Sequence, residues 1–99
     1  MSALIAQRLV RSAAAAGCAV RVRAHHSRHW ASATFTGTRH ALTLAAAASP
    51  AFDAWLAGLH DAEFDTRREL VADLALVERA TVGGEVEARI EALTVAVEG

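Results

Sequence analysis

Apolar residues recur along this chain with two different periods, and the switches between them divide it into elements. Residues 3–16 follow a helical period. Ile5, Leu9, Ala13 and Ala16 form one stripe, Ala6 and Val10 flank it, and Gln7, Arg8 and Arg11 face outward. Ser2 is a ready N-cap, and Gly17 supplies the left-handed residue that stops the helix. Arg11 lies near the carboxyl end, where its charge suits the helix dipole. Residues 18–25 then alternate. Cys18, Val20, Val22 and Ala24 point one way and Arg21, Arg23 and His25 the other, as in a half-buried strand with a basic outer face.

Residues 30–45 read as a hairpin turning at Gly37-Thr38, glycine being favoured first in a two-residue loop. That register sets Phe35 opposite His40, Ala33 opposite Leu42 and Ala31 opposite Leu44 on a largely apolar face. Trp30, Ser32, Thr34 and Thr36 then lie on the other face with Ala45, Thr43, Ala41 and Arg39. Residues 49–59 return to a helical period. Ser49 is the cap, Pro50 the first helical residue, Asp53 an acid in the first turn, and Phe52, Leu56 and Leu59 the stripe with Trp55 at its edge. Asp61–Thr66 reads as a polar loop pinned by Phe64.

Residues 67–97 fit two patterns. Leu70, Leu74 and Val77, then Val86, Ile90 and Leu93, have helical spacing, and Glu85 and Arg89 are four apart. Gly83-Gly84 favours a hairpin instead, with Glu78 opposite Arg89, Val77 opposite Ile90, Leu74 opposite Leu93, Ala72 opposite Val95 and Leu70 opposite Val97. The apolar side changes along this hairpin, which calls for a bulge or strong twist near Leu76 or Glu91, or for cover on both faces.

The expected fold is a single α+β domain over residues 1–99, a two-layer sandwich of order α-β-β-β-α-β-β. Its antiparallel five-stranded sheet carries two helices on one face. Helix-then-hairpin occurring twice resembles the αββ-αββ ferredoxin-like arrangement of some bacterial secretion-system domains, with one strand too many for a match. Alanine supplies 25 of the apolar residues, leaving 27 larger ones, enough for one modest core. Lysine is absent, so the arginines and alanines reflect a GC-rich, bacterial coding bias before any selection for phosphate.

Charge changes the picture more than composition does. Residues 1–52 contain six arginines, four of the five histidines and no acid, a formal +6. Residues 53–99 contain four arginines against eleven acids, a formal −7. Such halves either neutralise each other within the fold or meet a partner. A single cysteine excludes an internal disulfide, and Cys18 reads as a small buried hydrophobe. No apolar run is long enough to span a bilayer. Ala15-Ala16-Gly17-Cys18 has the look of a lipoprotein cleavage site, and the acid-free N-terminus that of a transit peptide. Arg8 and Arg11 interrupt the apolar stretch a secretory signal needs, so a cytoplasmic location is expected, with export as a Cys18 lipoprotein the alternative.

Candidate chemistry is sparse. There is no His-Glu-x-x-His, glycine-rich phosphate loop or nucleophile elbow, so no catalysis and no cofactor are expected. His60 at a helix end is explained by the helix dipole. His25, His29 and His40 are a weak metal-ligand set, with no acid near them in the chain and arginines close by. Arg21, Arg23 and Arg39 with Trp30 offer an anion-binding or single-stranded nucleic-acid face, against which Glu85, Glu87 and Glu91 stand as internal counter-charges. The favoured expectation is protein association, as a homodimer or accessory subunit, through a sheet face carrying Trp30, Thr34, Thr43, Val71 and Ala75.

Overall fold

The computed structural model describes residues 3–61 and 69–96. Two helices, α1 (Ala3–Ala15) and α2 (Pro50–Ala57), and four strands, β1 (Arg21–Ala31), β2 (Thr36–Ala47), β3 (Glu69–Val82) and β4 (Glu85–Ala96), follow one another as α-β-β-α-β-β. A short 3₁₀ turn, Leu59–Asp61, extends α2. The strands form one antiparallel sheet in the order β1-β2-β4-β3. Helix-then-hairpin is thus repeated as read from the pattern. The α-β-β-β-α-β-β order and the fifth strand are wrong.

The extra strand arises from one misplaced turn. β1 runs unbroken through the segment that the pattern divides in two, and the chain reverses at Ser32–Phe35. There the Ser32 amide donates to the Phe35 carbonyl at 2.7 Å, while the Ser32 hydroxyl oxygen accepts from the amides of Thr34 and Phe35 at 3.3 and 3.0 Å. A serine side chain standing in for a backbone acceptor is what makes this sequence turn. Gly37 is instead a buried strand residue, paired with Trp30 on one side and Val95 on the other. A Cβ at Gly37 would lie 2.9 Å from the Trp30 ring and would overlap the Thr94 carbonyl oxygen. The glycine is there to let an aromatic ring lie across it.

The two central strands pair from Gly37 with Val95 to Ala47 with Glu85 without interruption. Their inner face presents Leu42, Leu44 and Ala46 beside Ile90, Ala88 and Val86, all buried. Both helices pack on this face. α1 contributes Ile5, Leu9 and Ala13; α2 and its extension contribute Phe52, Trp55, Leu56 and Leu59. Gly17, at φ 90°, closes α1 with paired hydrogen bonds, Cys18 N–H to the Ala13 carbonyl at 2.8 Å and Gly17 N–H to the Ala14 carbonyl at 3.0 Å. This delivers Cys18 and Val20 into the core just ahead of β1. Removing the residues ahead of Cys18 would take Ile5, Leu9 and Ala13 out of that core. Two details of the helical stripe differ from expectation: Ala16 is exposed and Arg8 half-buried.

Ser49 caps α2, its hydroxyl accepting from the Phe52 amide at 3.1 Å, with Pro50 opening the helix. The Trp55 indole N–H donates to the Ser12 hydroxyl at 2.9 Å and ties the helices together. Arg79 on β3 pairs with Asp53 and ties α2 to the sheet.

All register shifts fall on the edge strands, at Arg23 in β1 and at Ala72 and Val77 in β3. Each extra residue exchanges the faces of the strand beyond it and twists the edge away from open-ended pairing. The hairpin at Gly83-Gly84 has the register read from the pattern near its turn, Glu78 opposite Arg89, and a bulge beside Leu76. Past that bulge the pairs move by one, so Leu76 rather than Val77 faces Ile90, and Leu74 faces Ala92. The roles expected of Ser2, Phe64 and Val97 lie outside the described residues.

Replacing Gly37 by Ala is predicted to lower unfolding free energy by roughly 3 kcal/mol, the upper end for overpacking a core position. Urea unfolding followed by circular dichroism measures it. A change within experimental error would show that Gly37 does not serve as the seat of Trp30.

Candidate functional site on the open sheet face

The face of the sheet away from the helices is uncovered among the described residues. The register places its side chains in rows across β1, β2, β4 and β3: Trp30, Gly37, Val95, Leu70; then Arg28, Arg39, Leu93, Asp73; then His26, Ala41, Glu91, Ala75. Further along lie Ala24, Thr43, Arg89, Glu78, and then Arg21, Ala45, Glu87, Ala80. The charge asymmetry of the chain has become an asymmetry of this surface. β1 and β2 place Arg21, Arg23, His26, Arg28 and Arg39 on it and no acid. β4 and β3 place Glu85, Glu87, Glu91, Asp73 and Glu78 on it with Arg89 the lone cation.

Toward the diglycine turn these charges meet within the chain. Arg21 reaches over β2 to Glu85 at 2.7 Å, Arg23 to Glu87 at 3.7 Å, and Arg89 pairs with Glu78 at 2.9 Å. The crossing works because Thr43 and Ala45 are short, and Ala45 is wholly buried beneath it. The Arg21 hydrogen bond holds the Glu85 carboxyl below its ordinary value, and the same contact raises the Arg21 guanidinium. These pairs are exposed and contribute little each. Toward the Ser32 turn the pairing stops. Arg28 sits directly opposite Arg39, a repulsive cross-strand pair, and neither has an acid within ion-pair distance among the described residues. Glu91 and Asp73 on the far strands are equally unmatched among the described residues. Between the two sets lies an open groove of about 430 Å³, walled by Arg28, Arg39, His26, Asp73, Glu91 and Leu93.

The residues picked from the sequence are only partly assembled here. Trp30, Thr43 and Ala75 share the open face and are half-buried. Thr34 is in the Ser32–Phe35 turn, off the sheet. Val71 is on the helix side, packed against the core, because the shift at Ala72 turns it inward. Of the anion set, Arg21, Arg23, Arg39 and Trp30 all lie on the open face, but Arg21 and Arg23 are engaged by glutamates, and the Trp30 ring lies over Gly37. Its indole Nε1 is buried without an acceptor among the described residues. Sequence reasoning missed Arg28, Leu93 and Asp73. The charge halves were the available signal, but the misplaced turn kept the rows from being drawn.

The histidines resolve onto opposite faces. The Arg23 shift turns His25 inward, opposite Leu42, and leaves His26 outside. His25 Nε2 lies 2.9 Å from His40 Nδ1, and His40 Nε2 lies 3.3 Å from the Thr94 hydroxyl, which donates to the Thr38 carbonyl at 3.3 Å. Read from its acceptor end, this chain makes His40 the donor through Nε2 and the acceptor through Nδ1, with His25 donating to it. His29 stands further along, exposed and opposite Thr38. His25, His29 and His40 thus form no ligand set. Among the described residues no three His, Cys, Asp or Glu side chains are grouped to hold a metal ion.

No protein-family model, curated protein or solved structure matches this chain. Among the described residues no helix is long and apolar enough to cross a membrane.

Burial first, and His26 second, hold His25 below the ordinary imidazole value of 6.5. The unfolded chain therefore binds more protons than the folded one near that value, and folding stability falls as pH drops through it. His25→Gln removes this titration. From pH 7.5 to 5, wild type is predicted to lose stability relative to the variant in parallel thermal melts. A difference independent of pH would contradict a half-buried, neutral His25.

Proposed function

We propose that this chain acts by association, as a small non-catalytic domain that self-assembles through the open face of its sheet. The carrying observation is that β3 exposes Leu70 at 62%, Val77 at 50% and Val82 at 56% toward that face, while Leu93, Val95 and Trp30 lie half-buried on it. An apolar surface of this extent around unmatched charges is the profile of an interface, with aromatic and aliphatic anchors and a polar surround. Cover on both sides of the sheet also explains why β3 and β4 carry apolar residues on both faces.

Anion or nucleic-acid binding on the same face is less well supported. Two of its arginines are neutralised, its tryptophan ring is seated against Gly37, and Asp73 and Glu91 in the same groove would repel a phosphate backbone.

Size-exclusion chromatography with light scattering should return a dimer mass for wild type. Leu93→Arg places a cation on the open face, away from the core and among the unmatched arginines. It is predicted to weaken the dimer at least tenfold with an unchanged circular dichroism spectrum. Wild-type protein that stays monomeric at high concentration, in both low and high salt, would refute the reading.

A further inference from the structure

With the strands of the two copies aligned, one such face can be laid on another about either of two two-fold axes, and the charges distinguish them. A two-fold axis across them would set β1 on β1 and β2 on β2 with the rows reversed, so that the basic strands cover each other and, with the axis at their row, Arg28 and Arg39 face their own copies. Like charges so opposed repel across the interface and disfavour that orientation. A two-fold axis running along the strands, between β2 and β4, sets β1 on β3 and β2 on β4 instead.

Resting on the self-association proposed above, we infer that the second copy docks about an axis nearly parallel to the strands, and that Arg28 of each copy pairs with Asp73 of the other. In that arrangement Arg28 and Asp73, which occupy the two ends of one row and are too far apart to meet within the chain, come face to face twice. Arg39 lies over Leu93 of the second copy, with Glu91 of that copy one row away. In the adjoining row Trp30 meets Leu70, and Gly37 meets Val95, so the most exposed leucine on the face is covered by the ring that rests on the glycine. The pairs at the diglycine end remain internal and form part of the rim. Sheets packed face to face stand ~10 Å apart, a gap an arginine side chain can span. Arg28 is the specificity-determining residue. It is held beside Arg39 at a local cost, and that repulsion is relieved when Asp73 of the other copy arrives.

Charge exchange tests this directly. Arg28→Asp should leave the fold sound, since it places an acid beside Arg39, but it sets the introduced carboxylate against Asp73 across the interface. Asp73→Arg opposes two arginines. Each variant alone should dimerise at least tenfold more weakly than wild type by sedimentation equilibrium. An equimolar mixture of the two should form a heterodimer within about threefold of the wild-type affinity, and so should the double variant R28D/D73R, because every cross-interface pair is complementary again. Single variants that dimerise like wild type, or a mixture that stays monomeric while wild type dimerises, would overturn this geometry and leave association standing. A monomeric wild type would overturn both.

Discussion

The structure depends on the unbroken pairing of β2 with β4. These strands run side by side from Gly37 and Val95 to Ala47 and Glu85, and every other feature is attached to one side of them or the other. Their inner residues, Leu42, Leu44 and Ala46 with Val86, Ala88 and Ile90, are the floor on which both helices rest. Beyond Arg39 the outer residues of β2 are small: Ala41, Thr43 and Ala45. Small residues there keep the outer surface low enough for arginines on β1 to reach glutamates two strands away. Irregularity is confined to the edge strands, where a bulge guards an edge without disturbing the central ladder.

That same pairing turns a property of the sequence into a property of a surface. The basic half of the chain forms one hairpin and most of the acidic half forms the other. Because the hairpins join along β2 and β4, charge is segregated across the sheet rather than mixed within it. At the diglycine end the two sets neutralise each other. At the Ser32 end, Arg28 and Arg39 stand beside each other and Asp73 and Glu91 stand apart, with Leu93 between. A surface with complementary halves that do not meet is matched by its own copy turned over. The inner face at this end is polar in a different way. There His25, His40 and Thr94 hydrogen-bond in series, so the sheet carries a largely buried polar chain on one side and, among the described residues, unmatched charge on the other.

Both helices were legible because their signals are local: Ile5, Leu9 and Ala13 at one period, Ser49 and Pro50 at a start, Gly17 at a stop. The second hairpin was legible because a diglycine has few other uses and Glu78 and Arg89 confirm the register from their side chains. The first hairpin was not. Gly37-Thr38 has the form of a turn, and what overrides it is a tertiary requirement, room for the Trp30 ring, that no local pattern carries. The true turn is made by one serine hydroxyl. With the turn misplaced by a few residues, Trp30, Thr34, Arg39 and His40 acquired wrong partners. The shift at Arg23 was hidden because Ala24 continues the alternation of Val20 and Val22 as well as a core residue would, although it lies on the other face. Period-two reasoning has no means of detecting an extra residue where an alanine sits. The candidate surface was therefore visible as a charge asymmetry and not as a set of residues.

The most direct measurement is a nuclear Overhauser experiment on an equimolar mixture of isotope-labelled and unlabelled protein, filtered for contacts between copies. Within one chain Trp30 and Leu70 stand at opposite edges of the sheet, about 14 Å apart at three strand spacings, so any contact between them reports a second molecule. Cross-peaks between the Trp30 ring and the Leu70 methyls are the predicted result. Contacts between the two Trp30 rings instead, or none from this face at concentrations where the mass is that of a dimer, would contradict the account.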